Sequence, residues 1–249
     1  MNSKALNGKT AVVTGGSSGI GAACAQALAA EGARVAVGYH TGRERAEALL
    51  AELPGQGHFA VRIALDEIHE HGRIAEQVGR ELGRVDILVN SAGYTRRIPH
   101  DDLDRMDAAA FGEILNANAV GPFSIIRAFL PLLRQSGDGL VVNVSSVSAF
   151  TGSGSNVAYC AAKAALDTLT ISMARAFGPE VRCLSVSPAS VDTQFVAGRS
   201  REELQKKAAQ TPLGRVVTPQ DVAMAVLACA THLKTATGTR IVIDGGHTL

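Results

Sequence analysis

Tryptophan is absent from this 249-residue chain, and aromatic residues make up only 4% of it. That argues against a platform of rings for stacking single-stranded nucleic acid. An excess of charge of one sign is also missing: 24 Lys and Arg stand against 23 Asp and Glu, a net charge of +1. Such a balance draws the chain neither to DNA nor to an anionic lipid surface. There are only four cysteines, Cys24, Cys160, Cys183 and Cys229, and none forms a Cys-x-x-Cys pair. They read as reduced thiols packed as small apolar groups. No apolar run is long enough to span a bilayer. Residues 1–9 are polar and lack the apolar segment of a secretory signal. The expectation is a cytoplasmic protein with no nucleic-acid or membrane partner.

What is present is apolar material, 46% of the chain, enough for one large α/β domain. Short β-branched runs at 10–14, 34–38, 58–63, 85–90, 140–145, 181–187 and 239–243 read as strands. Several are almost continuously apolar, as strands covered on both faces are. Between them lie helical stretches at 20–31, 43–53, 70–82, 106–135, 156–177 and 219–232. Thr218-Pro219-Gln220-Asp221 has the form of a helix start, with a capping Thr, Pro at the first helical position and an acid at the third. Strand–helix alternation over the whole length, without repeats or linkers, predicts a single domain spanning 1–249. Its expected fold is a doubly wound parallel sheet of about seven strands with helices on both faces.

Gly15-Gly16-Ser17-Ser18-Gly19-Ile20-Gly21 follows the first strand and opens the first long helix. Backbone N–H groups at a helix start attract a pyrophosphate, and glycines let it approach the chain. The predicted ligand is a dinucleotide. An acid at the end of the second strand would select NAD by its ribose hydroxyls. Tyr39 stands there instead, followed by His40, Thr41, Arg43 and Arg45, which could hold a 2′-phosphate. NADP is therefore the expected cofactor, with NAD as the alternative.

Tyr159 and Lys163 are four residues apart in an Ala-rich helical segment, which puts both on one face, one turn apart. An ammonium fixed there can stabilise a phenolate. A free tyrosine titrates near ~10, so exchange near neutral pH asks for roughly 4 kcal/mol of differential stabilisation. The pair points to acid–base catalysis.

With these features the chain resembles the short-chain dehydrogenase/reductase family in its single-domain form. The resemblance spans essentially the whole sequence. It rests on Thr14-Gly15-x-x-x-Gly19-Ile20-Gly21, Asn90-Ser91-Ala92-Gly93, Asn118, Ser146, Tyr159-x-x-x-Lys163 and Ile243-Asp244-Gly245-Gly246. It implies a Rossmann-like fold and hydride transfer between a nicotinamide and a carbonyl or alcohol. It further implies Tyr159 as general acid or base, and Lys163 holding the nicotinamide ribose and lowering the tyrosine pKa. Ser146 would hydrogen-bond the substrate oxygen, with Ser145 and Ser148 as competitors. Asn118 would hold a water that links Lys163 to solvent. Asn90, Ala92 and Gly93 would border the cofactor, and Asp66 would meet the adenine.

The resemblance has departures. In Ser187-Pro188-Ala189-Ser190-Val191-Asp192-Thr193, Ala189 replaces the family's usual glycine, while Pro188, Val191 and Thr193 still fit the nicotinamide end. An alanine is costly there if the glycine is needed for positive φ. His69-Glu70-His71 reads as a solvated helix start, and no metal is expected. Residues 194–211 read as a mobile substrate lid. Arg96 and Arg97 either sit on a solvated loop or meet an anionic substrate or carrier. The expected partner is a small carbonyl or alcohol substrate, in the manner of a 3-oxoacyl carrier-protein reductase or a general carbonyl reductase; a dinucleotide sensor without turnover is the alternative. The helices at 106–135 and 156–177 carry apolar residues on several faces, and the family implies a homotetramer, with a homodimer as the alternative.

Overall fold

The computed structural model describes residues 4–249. Seven parallel strands form one sheet in the order β3-β2-β1-β4-β5-β6-β7. They are β1 (Thr10–Thr14), β2 (Arg34–Tyr39), β3 (Phe59–Arg62), β4 (Ile87–Asn90), β5 (Gly139–Val144), β6 (Val181–Pro188) and β7 (Arg240–Ile243). The Rossmann-like doubly wound arrangement read from the sequence is the one observed.

Side chains alternate across each strand with a period of two. Ala11, Val13, Val35 and Val37 enter a core with α1 (Gly19–Ala30), α2 (Arg43–Glu52) and α9 (Pro219–Thr231). Val12, Ala36, Leu88 and Val141 enter a second core with α3 (His71–Leu82), α5 (Gly121–Gln135) and α7 (Val157–Phe177). Both faces are covered, which is why the strand sequences are so uniformly apolar.

Strand order reverses between β1 and β4. Helices leave in opposite directions there and open a crevice beyond the carboxyl ends of these strands, where open α/β sheets bind ligands. At the other end of the same two strands, the buried carboxylate of Asp86 receives Lys9 Nζ at 3.0 Å, Thr10 N at 2.9 Å and Arg84 Nε at 3.1 Å. This clip holds the register on the side away from the crevice.

Two expectations are corrected. The helix expected over 106–135 is three pieces: α4 (Ala108–Leu115), a π-helical turn (Asn116–Val120) and α5. Pro122 has no N–H to offer the carbonyl four residues back, that of Asn118, so the regular ladder breaks. The N–H of Gly121 bonds Asn116 O, five residues back. Second, only His69 of the histidine pair is solvated. His71 is buried, with Nδ1 2.9 Å from Ser124 Oγ and Nε2 2.8 Å from Ala64 O, so it ties α3 to α5 and to the end of β3. Among the described residues no group of three His, Cys, Asp or Glu is placed to hold a metal ion. No described helix is long and apolar enough to cross a membrane.

Candidate active site

The crevice is a cleft of about 800 Å³ at the carboxyl ends of the central strands. Its floor begins at the glycine turn. Gly15 has φ +64°, and a Cβ there would lie 2.9 Å from Ala92 Cα. A Cβ on Gly21 would collide with the carbonyl oxygen of Gly15. The turn can therefore be this tight only with glycine at both positions. Thr14 Oγ1 accepts from the N–H groups of Ser91 and Ala92, both at 3.1 Å, and so fastens the turn to the end of β4. Gly15, Ser18, Gly19, Ile20, Gly21, Ala92 and Gly93 all line the cleft. The start of α1 has Ser18 at its N-cap with no side-chain bond to the free helix N–H groups. That leaves donors for a pyrophosphate, and a dinucleotide fits this cradle.

Tyr159 and Lys163 stand on α7, whose N-cap is Asn156. Asn156 Oδ1 accepts from Tyr159 N at 2.7 Å, while its Nδ2 donates to Thr95 Oγ1 at 3.1 Å and to Arg96 O at 2.7 Å. One buried asparagine thus starts the helix, sets Tyr159 in its first turn and pins the loop after β4. The sequence signal for this role is an Asn three residues before the tyrosine. The positive end of the helix dipole favours a phenolate at that position by about 0.5 kcal/mol.

Lys163 is buried, donates from Nζ to Val144 O at 2.8 Å and lies 5.6 Å from the centroid of the Tyr159 ring. Burial pushes its pKa down to about 8, with Asp167 opposing. Burial also pushes the Tyr159 phenol up, while the Ser146 hydroxyl and the Arg199 charge pull it down. Burial thus holds the phenol as an acid. Tyr159 remains partly exposed to the cleft, where solvent offsets some of the burial.

Ser146 follows β5, two residues before the short α6 (Ser148–Thr151), and reaches the cleft. Its Oγ accepts from Ser148 N and donates to Ser148 Oγ, each at 3.1 Å. Ser145 Oγ donates to Lys163 O at 3.4 Å, so it is engaged with the helix backbone. Of the serines, Ser146 is the one beside the phenol.

Asn118 is fully buried in the π-helical turn. Its Nδ2 donates to Tyr94 O at 2.6 Å and to Ile114 O at 2.9 Å, and its Oδ1 has no partner. Pro188, Val191 and Thr193 line the far side of the cleft. Ala189 does too, and no residue but glycine has positive φ among the described residues, so alanine is unstrained there. The segment 194–211 contains α8 (Arg201–Ala208), and the ring of Phe195 lies 6.0 Å from that of Tyr159.

Other expected cofactor residues lie outside the cleft lining: Ser17, Tyr39, His40, Thr41, Arg43 and Asp66. Arg43 is exposed and bonded to Glu47 Oε1 at 2.8 Å, whereas Arg45 lines the cleft. Asn90 is buried in the sheet with its Nδ2 on Asn143 Oδ1 at 2.9 Å, a strand-to-strand tie. Arg96 is bonded to Glu113 and lies over the Tyr94 ring, while Arg97 pairs with Glu203 at 3.2 Å. Arg199, also in the cleft wall, was not singled out from the sequence.

A family model described as enoyl-(acyl carrier protein) reductase matches residues 15–248. A Streptomyces violaceoruber protein named as ketoacyl reductase 2 of the granaticin polyketide synthase is 37% identical, covering 99% of this chain and 98% of its own. The 3-oxoacyl-acyl-carrier-protein reductase of Aquifex aeolicus is 35% identical, over 97% of this chain and 98% of its own. Among solved structures, a Burkholderia xenovorans protein assigned to the short-chain dehydrogenases/reductases superposes with a TM-score of 0.90. It is 32% identical, and the match covers 96% of this chain and 98% of that one. Matches of this extent, on a fold with the glycine cradle and the Tyr159–Lys163 pair in one cleft, show that the chain belongs to the short-chain dehydrogenase/reductase family of NAD(P)-dependent oxidoreductases.

Proposed function

We propose that this protein is an NADP-dependent carbonyl reductase in which Tyr159 exchanges a proton with the substrate oxygen. The observation that carries the reading is the convergence of the Tyr159 phenol and the Ser146 hydroxyl at one wall of the cleft that begins at the glycine cradle. A bound nicotinamide would supply or accept the hydride. Tyr159 gives its proton to the oxygen on which negative charge develops in reduction, and takes it back in oxidation. Ser146 donates a hydrogen bond to the same oxygen. Lys163, with a pKa near 8, exchanges protons readily near neutral pH and stands one turn below the phenol. The orphan Oδ1 of buried Asn118 is suited to hold a water on the path from this lysine to solvent. The glycine cradle would hold the pyrophosphate, and Arg45 would face a 2′-phosphate.

The relatives named for ketoacyl and 3-oxoacyl reduction support a ketone as substrate. Apolar side chains left exposed on α5, α7, α9 and β7 support a homotetramer, and the cytoplasm is the proposed location.

A panel of ketones, secondary alcohols and enoyl thioesters, read at the absorbance of the reduced nicotinamide, tests the reading. Turnover of ketones is expected. Tyr159→Phe is expected to lose at least about a hundredfold in kcat, the scale of a lost proton donor, while NADPH still binds. Substantial activity in that variant removes Tyr159 from the chemistry. Turnover of enoyl thioesters alone replaces the carbonyl reading, and cofactor binding without any turnover favours a sensor.

A further inference from the structure

Three arginines on the segments around the cleft are paired with carboxylates, whereas two that line it, Arg45 at the glycine turn and Arg199, are not. Arg96 is bonded to Glu113, Arg97 pairs with Glu203 at 3.2 Å, and Arg201 is 3.9 Å from Asp192. Arg199 differs. It lines the cleft, is partly buried, and has no carboxylate within ion-pair distance. Its Nη2 donates to Val191 O at 2.8 Å, and its Nε is shut away from solvent without an acceptor. The guanidinium is near enough to Tyr159 for its charge to act on the phenol.

Glu203 and Asp192 act on Arg199 only from beyond ion-pair distance; a guanidinium stays ionised in a protein, so partial burial without a contacting counterion has a real cost. A chain that accepts the cost beside its reactive group gains where a ligand brings the missing negative charge. The planar donor fork suits a carboxylate, which it can take by two hydrogen bonds. Val191 O anchors one nitrogen, so the fork is held by the segment that borders the cofactor end of the cleft. Gly198 has φ +76°, a turn that places Arg199 at the base of the lid just before α8.

We infer that the substrate is a keto acid, or the hydroxy acid it becomes, with its carboxylate held by Arg199 while its carbonyl lies at Tyr159 and Ser146. The inference rests on the carbonyl-reductase reading above. In reduction the carbonyl carbon gains a hydride and its oxygen gains the phenolic proton; the carboxylate is unchanged. Arg199 is a specificity residue: it sets which ketone stays and how it lies.

The test compares 4-oxopentanoate, 5-oxohexanoate and 4-oxocyclohexanecarboxylate with their methyl esters, which scans the distance between the two groups. Dihydroxyacetone phosphate against dihydroxyacetone forms a phosphate arm. At least one keto acid is expected to exceed its ester in kcat/KM by about tenfold or more, the scale of a charge-assisted hydrogen bond. In Arg199→Gln the acid-to-ester ratio should fall close to one, mainly through KM. Arg199→Lys should keep part of it, and the ester serves as the reference within each variant. Equal use of acid and ester by the wild type overturns the inference. A preference that survives Arg199→Gln, or one confined to the phosphate pair, does so as well. Absence of turnover for every ketone removes the reductase reading alone. Calorimetric titration of 5-oxohexanoate then decides: heat lost in Arg199→Gln upholds the anion site, and equal binding overturns it.

Discussion

Arg43 and Arg45 are two positions apart and have different surroundings. Both are basic residues after β2, and sequence alone treats them alike. Arg43 is spent on an exposed bond to Glu47, while Arg45 turns into the cleft beside Gly42 and Ser17. Arg45→Ala should weaken NADPH about tenfold relative to NADH, as loss of one charged hydrogen bond would. Arg43→Ala should leave the ratio almost unchanged. Fluorescence titration of both reduced cofactors checks this, and tighter NADH binding by the wild type would sink it. Lys163 gives a pH prediction. Its pKa of about 8 lies below the ordinary 10.5, because burial disfavours the charged amine. Between those values the unfolded chain holds a proton that the folded one has released, so stability from this group rises with pH. From pH 8 to 10.5 the wild type should gain about 3 kcal/mol relative to Lys163→Met. Urea unfolding across that range measures it; parallel curves would show that the amine is not desolvated.

At the scale of elements, helix starts proved legible and helix interiors less so. The capping box at Thr218 is complete: Asp221 N donates to Thr218 Oγ1 at 3.2 Å, and Thr218 N donates to Asp221 Oδ2 at 2.9 Å. Thr218→Ala should cost about 1 kcal/mol, since it leaves an N–H of the first turn of α9 without its partner. Thermal unfolding should show the loss, and no change would mean that water caps the helix equally well. Asn118 is the contrary case. Asparagine is disfavoured in a helix interior, so position 118 conflicts mildly with the long helical pattern around it. The conflict is resolved by the π-helical turn that Pro122 forces, which frees the Asn118 side chain to meet Tyr94 O. Periodicity over 106–135 could not show the break, because a single π-turn of five residues is too short to leave a period of its own.

For the whole molecule, the proposed assembly rests on what the fold leaves uncovered. Phe123 on α5 and Ile171 on α7 are 41% and 43% exposed, and Met224 on α9 and Val242 on β7 are 58% and 40% exposed. These are two separate apolar faces, and two self-complementary contacts make a tetramer of dihedral symmetry. Light scattering should give four chains per particle. Charge substitution of Met224 and Val242 together should leave dimers, and a monomeric wild type would contradict the proposal.

The sequence by itself determined the class of fold, the glycine cradle and the Tyr159–Lys163 spacing. Each depends on local rules: a period of two or 3.6, a turn that only glycine can make, two side chains one helical turn apart. Tertiary structure alone decided which groups meet. Asn156 joins α7 to the loop after β4, His71 leaves solvent for the contact between α3 and α5, and Arg199 joins Tyr159 in the lining of one cleft. Partners so distant along the chain leave no periodic trace, because packing of separate elements brings them together. Burial then sets their charge, as it raises Tyr159 and lowers Lys163 within one cleft.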